Sequence, residues 1–355
     1  MQFEQTQIAL ADPQIAAAVA GLRYLSDEET PGISRRRNGT GFTYRAPGGK
    51  TIRDRAALAR IRALGIPPAW ADVWISPYTD AHLAATGRDA RGRKQYRYNP
   101  EFLQIRGAAK YEHVLTFAES LPHIRKVVSE HMSLRGVPRE KVLATVVSLL
   151  EVTLIRVGNE DYARQNGSFG LTTLRDRHVR VVGSELRFLF KGKSGKTWRL
   201  NISNRRVAKV VRACQELPGQ QLFQYQDTDG SLQKISSTDV NDYLRDMTGR
   251  DITAKDFRTW AGTVEAALAL HVLSACGEPV LKKHLRAAFA RVAARLGNTI
   301  AICRKCYVHP EIVAAYEAGE LRLEISGATS ETMDFDDAER AVLSFLKKRL
   351  KAKAG

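Results

Sequence analysis

The hydrophobic period of this chain changes near Pro100, and that change limits the folds open to it. Residues 22–98 are written in short alternating runs: "ISRRR", "GFTYR" and "KTIRD" are separated by "NGT" and "APGGK". A period of two suits strands with one buried face, and Asn38-Gly39 and Gly48-Gly49 are hairpin signals. One short helix is expected at 54–64, "DRAALARIRAL", before the aromatic, proline-punctuated segment "IPPAWADVWISP". From residue 99 onward the spacing of apolar residues is helical. "PEFLQIRGAAKYEHVLTFAESLPHIRKVVSEHM" reads as two helices broken at Pro122, since proline lacks the N–H and clashes with the turn before it. "PREKVLATVVSLLEVTLIRVGNE" reads as one strong helix, with Pro138 in its first turn and Gly158 at its exit. The island "HVRVVGSELRFLFKGKSGKTWRLNI" predicts three antiparallel strands that turn at Gly183-Ser184 and Ser194-Gly195. Further helices are expected at 203–216, 237–248, 256–275, 278–296, 299–307, 310–318 and 334–352. The fold class is α+β. A small antiparallel β domain, residues 1–98, precedes a mainly helical domain, residues 99–355, that carries one small three-stranded sheet.

Charge narrows the partners. The chain has 55 Lys and Arg against 38 Asp and Glu, a formal net charge of +17. The excess runs along the whole chain and points to a polyanion, most often nucleic acid. A basic protein with a merely solvated surface is the bland alternative. A membrane surface fits less well, because no strongly apolar amphipathic stretch stands out. The longest apolar run, Val142–Val157, is interrupted by Ser148, Glu151 and Arg156 and is too short to span a bilayer. Four cysteines do not make a disulfide framework, and the CxxC of Cys303 and Cys306 has no second pair to complete a zinc site. Residues 1–20 lack a basic region followed by an apolar one, so no secretory leader and a reduced, cytoplasmic setting are expected.

Five residues can serve a phosphate, and each alone has an ordinary reading. Arg156 lies in the apolar "TLIRVGNE" and could simply pair with Glu160. Lys193 sits at the predicted hairpin tip "KGKSGK", where lysines are usually only solvated. Arg258 follows Asp256, read as an N-cap, in "KDFRTWAGT"; helix N-termini favour anions, but a first-turn arginine is also common. Asn298 and Tyr307 stand nine residues apart in "NTIAICRKCYVHP", with Arg304 and Lys305 just before the tyrosine. His309, before Pro310, and Cys306 read as structural. In the β domain "GRDARGRKQYRYNP" interleaves Arg88, Arg91, Arg93, Lys94 and Arg97 with Tyr96 and Tyr98, which share one strand face.

Taken in order, Arg156, Lys193, Arg258, Asn298 and Tyr307 resemble the active-site series of type IB DNA topoisomerases, and more loosely that of tyrosine recombinases. The strings "IRVGNE", "GKSGK", "KDFRTWAGT" and "LGNTIAICRKCYVHP" carry the likeness. "GRDARGRKQYRYNP" resembles the DNA-contacting segment of the poxvirus-like topoisomerases that also occur in bacteria. The likeness covers nearly all of residues 20–320. Recombinases usually have histidine three residues before the second arginine; here Lys255 stands there, the topoisomerase pattern. Nine residues before the tyrosine, poxvirus enzymes have histidine; here Asn298 stands, as in bacterial members. Asparagine can donate to a phosphate oxygen but cannot shuttle a proton.

The resemblance implies that Tyr307 attacks a backbone phosphorus, that a 5′-hydroxyl leaves, and that a 3′-phosphotyrosyl bond holds the strand while it swivels. Arg156, Arg258 and Asn298 are implied to hold the non-bridging oxygens, and Lys193 to protonate the leaving oxygen. It also implies a clamp around duplex DNA with the basic stretch 99–110 as a loop near the hinge. Neither ATP, metal nor another cofactor is expected, and the enzyme is expected to be a nucleoid-associated monomer. The hairpin residues Arg88, Arg91, Arg93, Lys94, Tyr96 and Tyr98 are implied to meet phosphates and base edges in the major groove. A site-specific tyrosine recombinase and a non-enzymatic DNA-binding protein are the alternatives.

Overall fold

A computed structural model describes residues 12–227, 229–275, 281–325 and 335–354. They fall into two units, Met1–His113 and Val114–Gly355. The first unit opens with α1 (Pro13–Val19), capped by the Asp12 carboxylate on the N–H groups of Gln14 and Ile15. Five strands follow: β1 (Ile33–Asn38), β2 (Gly41–Arg45), β3 (Ala71–Ile75), β4 (Leu83–Arg88) and β5 (Lys94–Tyr98). They form one antiparallel sheet in the order β2-β1-β3-β4-β5. The β1–β2 hairpin turns at Asn38-Gly39 as the sequence predicts, with Gly39 at φ 58°, a conformation glycine adopts without steric cost. Between β2 and β3 lies α2 (Arg55–Ala63), capped by Asp54 and packed through Ile61 onto Ile33, Val73, Ile75 and Ala85.

The division between the units falls within α3 (Pro100–His131). This corrects two expectations. Pro122 does not break the helix but sits inside it, and residues 100–110 are its first turns rather than a basic loop. Proline costs an interior helix one hydrogen bond and a steric clash, about 3 kcal/mol. Burial of Val114, Phe117, Leu121, Ile124 and Val128 on one helix offsets that cost.

The second unit builds one large core. Its helices are α4 (Arg139–Thr153), α5 (Glu160–Asn166), α6 (Arg205–Gln215), α7 (Ser237–Thr248), α8 (Ala254–Ala275), α9 (Lys282–Leu296), α10 (Ile300–Cys306), α11 (Pro310–Glu317) and α12 (Phe335–Ala354). The three-stranded sheet is present as β6 (Val179–Val182), β7 (Glu185–Lys191) and β8 (Thr197–Ser203), ordered β6-β7-β8. In β7 the residues alternate strictly between exposed and buried, with Leu186, Phe188 and Phe190 inward. A two-stranded ladder, β9 (Gln224–Gln226) with β10 (Leu232–Lys234), was not legible in the sequence. Helix α4 is also shorter than its apolar run suggests. It stops at Thr153, because Leu154 takes the left-handed conformation at φ 55°.

One arginine joins the last helix to α3 and α4. Arg125 on α3 donates to Glu151 on α4 at 2.7 Å, to Asp336 at 2.6 Å and to Glu339 at 2.7 Å, the last two on α12. Glu339 also accepts from the indole N–H of buried Trp260 on α8 at 2.7 Å. Burial works against the charge of Arg125, yet the carboxylates of Glu151 and Glu339 outweigh it and hold the guanidinium above its usual value. Burial pushes the Glu339 carboxyl up, and Arg125 opposes that shift. Removing one partner of a buried pair strands the other, whereas an exposed pair is worth little. Glu339→Ala is therefore expected to lower unfolding free energy by about 3 kcal/mol. Asp336→Ala, whose carboxylate is half exposed, should lower it by less than about 1 kcal/mol. Equal denaturation midpoints for the two variants would contradict this.

Candidate active site

The end of α4 fixes the first site residue. With Leu154 left-handed, the chain leaves the helix and runs through Ile155, Arg156 and Val157 without regular secondary structure. Arg156 is thus on an irregular segment and not at the end of a helix, which corrects the sequence reading. Its backbone is pinned. Leu171 N–H donates to the Arg156 carbonyl at 2.9 Å and Thr172 N–H to Val157 at 2.7 Å. Gly170 permits this approach, because a Cβ there would lie 2.5 Å from the Arg156 carbonyl oxygen. The Phe169 N–H in turn donates to Lys191 at 2.7 Å, joining this segment to β7.

Lys193 sits on the loop between β7 and β8, whose register closes at Lys191 opposite Thr197. Gly192 and Lys196 bond across the loop at 2.8 Å, and Ser194 and Gly195 turn it with φ of 64° and 74°. Lys193 is exposed and lines the same cleft as Arg156, whereas Lys191 and Lys196 do not.

Arg258 is the fifth residue of α8 and is 3% exposed. Asp256 is not the N-cap of this helix. It lies in the first turn, where its carboxylate accepts from the N–H and hydroxyl of Thr253 at 2.8 and 2.9 Å. The Arg258 guanidinium donates to the carbonyl of Leu154, where α4 ends, and at 2.7 Å to that of Leu296, where α9 ends. Cations stabilise helix C-termini, because the last carbonyls have no partner within the helix. Burial pushes the guanidinium below its ordinary value, while the Tyr307 phenol pulls it back up. It remains a cation at any physiological pH.

Tyr307 follows α10 directly. Its N–H donates to Cys303 at 3.0 Å, and its ring centroid is 5.3 Å from the Arg258 guanidinium carbon. His309 next to it is structural, as read from the sequence. It is 2% exposed, and its Nδ1 caps α11 by accepting from Glu311 N–H at 3.1 Å. Asn298 follows Gly297, the C-cap of α9. Its Oδ1 accepts from Arg156 at 2.5 Å. Arginine carries donors only, so the amide orientation is fixed and the NH2 points elsewhere. That Nδ2 and the Nε of Arg258 are buried donors with no acceptor among the described residues. Buried donors left unmatched inside a protein are rare and call for an explanation.

Arg156, Lys193, Arg258 and Tyr307 line one cleft of about 390 Å³, and Asn298 joins it through Arg156. Lys255, used in the sequence only to tell subfamilies apart, lines it too, as do Tyr162, Phe169 and Trp198. Lys255 could have been found from its spacing, three residues before Arg258 on one helix face. The aromatic wall could not, since it comes from three separate segments. In the first unit the β4–β5 hairpin exposes Tyr96 by 45% and Tyr98 by 37%, with their rings stacked 5.9 Å apart. Its cations have partners of their own: Arg88 with Asp72, Arg93 with Asp89, and Lys94 with Asp27 and Glu28. Arg91 is exposed at the turn. The Arg93 guanidinium, helped by the N–H groups of Arg93 and Arg91, holds the Asp89 carboxyl down at about 2.

A phenol, two guanidiniums and two ammoniums around one cleft form a set of groups suited to transferring a phosphodiester. Comparison with known proteins gives that chemistry a lineage. The family model of the eukaryotic DNA topoisomerase I catalytic core matches residues 99–331. That of the bacterial DNA topoisomerase IB N-terminal domain matches residues 41–89. The DNA topoisomerase 1B of Acanthamoeba polyphaga mimivirus is 31% identical over 294 residues, covering 81% of this chain and 88% of that protein. The DNA topoisomerase 1B of vaccinia virus (strain Copenhagen) is 23% identical over 268 residues, covering 73% and 82%. The fold and these matches define an enzyme that breaks and rejoins DNA strands. The chain belongs to the type IB DNA topoisomerase family, which sets the recombinase and the passive DNA-binding alternatives aside.

The orphaned amide group of Asn298 generates a test. Asn298→Asp keeps an acceptor for Arg156 and replaces the donor with a second anionic oxygen. Single-turnover cleavage of a suicide duplex should fall by about 10²–10³, as for loss of one oxyanion donor. Cleavage within a few-fold of the unmodified enzyme would contradict the assignment.

Proposed function

We propose that this enzyme relaxes supercoiled DNA through a 3′-phosphotyrosyl bond on Tyr307, with no requirement for ATP or a divalent metal. The supporting observation is the convergence of Tyr307, Arg258, Arg156 and Lys193 on one cleft. The phenol releases its proton to solvent as it attacks phosphorus, the bond to the 5′-oxygen breaks, and one phosphodiester replaces another. The exchange is close to neutral in free energy and reverses when the 5′-hydroxyl attacks the phosphotyrosine. Charge that builds on the non-bridging oxygens is met by Arg156, by the free Nε of Arg258 and by the Asn298 amide. Lys193, exposed on the β7–β8 loop at the cleft, gives its proton to the 5′-oxygen.

Both units grip the duplex in this reading, as a clamp. The stacked Tyr96 and Tyr98, with Arg88, Arg91, Arg93 and Lys94, meet the major groove and its phosphates. The enzyme acts as a monomer in the nucleoid. No described helix is long and apolar enough to cross a membrane. Nothing in this mechanism assigns a step to Cys303 or Cys306, which carry free thiols.

Two measurements test the reading. A supercoiled plasmid in EDTA without ATP should give a ladder of relaxed topoisomers, and Tyr307→Phe should give none while still binding duplex. Covalent adduct formed by Tyr307→Phe would remove the tyrosine from the mechanism. Lys193→Ala should cleave an ordinary strand about 10²–10⁴-fold more slowly, yet cleave a strand with a 5′-bridging sulfur at close to the unmodified rate. A sulfur strand that rescues Lys191→Ala or Lys196→Ala instead would move the proton donor to that residue.

A further inference from the structure

The loop that bears Lys193 and the turn that bears Asn298 come from distant parts of the chain, and one indole separates them. Trp198 faces inward from β8, is 7% exposed and lines the cleft. It lies opposite Phe190 in the β7–β8 register, and the two rings are parallel within 2° at 6.3 Å. The glycines immediately before Lys193 and Asn298 both abut this ring. A Cβ at Gly192 would lie 2.5 Å from the indole nitrogen and 2.6 Å from Cδ1. A Cβ at Gly297 would lie 2.7 Å from Cζ2 and 3.2 Å from Cη2.

The two glycines differ in what requires them. Gly297 closes α9 at φ 61°, so the backbone alone favours glycine there. Gly192 has φ −96° and ψ −169°, extended backbone that any residue adopts. What excludes a side chain at 192 is the indole. The contact is therefore a fit between loop and ring rather than a turn requirement. Neither glycine leaves room for a side chain between its backbone and the ring. Packed interiors transmit such displacements because they have little free volume.

We infer that Trp198 is a positioning residue: its indole, seated between Gly192 and Gly297, sets where the Lys193 loop stands relative to the Asn298 turn. Trp198 touches no reacting atom. It acts through Lys193, and in that respect the inference rests on the proposed proton-donor role of that lysine. The distance it sets matters because about 1 Å of misplacement in a catalytic group can cost about 10²-fold in rate.

The test is a double-mutant cycle in the full chain, read as single-turnover cleavage of a suicide duplex. Trp198→Ala leaves a large cavity and can fail to fold, so Trp198→Phe and Gly192→Ala are the working variants. Each keeps an apolar filling but changes the spacing from loop to ring. Each should slow cleavage of an ordinary strand by roughly 10–10²-fold with duplex affinity unchanged. Combined with Lys193→Ala, neither should slow cleavage beyond Lys193→Ala alone, because the lysine they position is gone. Factors that multiply in the double variants, or single variants that cleave like the unmodified enzyme, overturn the inference. The 5′-bridging sulfur strand is run in parallel. Rescue of Lys193→Ala by sulfur, with no rescue of Trp198→Phe, also overturns it. Failure of sulfur to rescue Lys193→Ala overturns the proton-donor reading instead. The cycle still decides in that case whether the ring acts through the loop.

Discussion

A single buried cation, Arg258, holds this site together. Its guanidinium donates to the last carbonyls of two helices, at Leu154 and Leu296, and lies beside the ring of Tyr307. Burying a charge is costly unless its donors are matched. Helix C-termini match them well, because they gather carbonyl oxygens that have no partner and carry the negative end of the helix dipole. The outcome reaches past stability. Leu154 leads in two residues to Arg156, and Leu296 leads in two to Asn298. The arginine that draws both helix ends together thereby brings Arg156 and Asn298 within hydrogen-bond distance of each other.

The same arrangement accounts for two strained or crowded features. Leu154 adopts a left-handed conformation that costs a side-chain-bearing residue about 1–2 kcal/mol, and the carbonyl that caps its helix is the one Arg258 binds. Gly262, one turn along α8 from Arg258, packs so closely on the Tyr307 backbone that a Cβ would lie 2.6 Å from its carbonyl oxygen. Thr263 beside it accepts the His309 N–H at 3.1 Å. Helix α8 thus carries a buried cation beside Tyr307 and, on the next turn, a seat for that tyrosine's main chain. Cys303, buried next to Arg258, has its thiol pushed up by burial. It is a small buried side chain of the core.

Much of this was legible in the sequence, and the failures have a common cause. The period change near Pro100, the β1–β2 turn at Asn38-Gly39 and the three-stranded island all follow from local chemistry, and the structure contains them. The order of Arg156, Lys193, Arg258, Asn298 and Tyr307 was readable as a series. What misled was context from far along the chain. The apolar run through Ile155 reads as helix, but the helix ends at Thr153, where Leu154 turns left-handed and its carbonyl accepts from Arg258, 104 residues away. Pro122 reads as a break, but the core on both sides of it keeps α3 intact. Trp198 draws no attention in the sequence, and only the fold reveals glycines that leave no room for a side chain against two of its edges. The cations of the β4–β5 hairpin read as a free basic patch, whereas Arg88, Arg93 and Lys94 already hold carboxylates.

The central claim is that the strand is held on Tyr307 through its 3′-phosphate. The most direct measurement traps the adduct on a suicide duplex, digests the protein and locates the attached nucleotide by peptide mass spectrometry. The expected result is a nucleotide joined through a 3′-phosphate to the peptide containing Tyr307, with a 5′-hydroxyl on the released strand. A nucleotide on any other residue, or one joined through a 5′-phosphate, would contradict it.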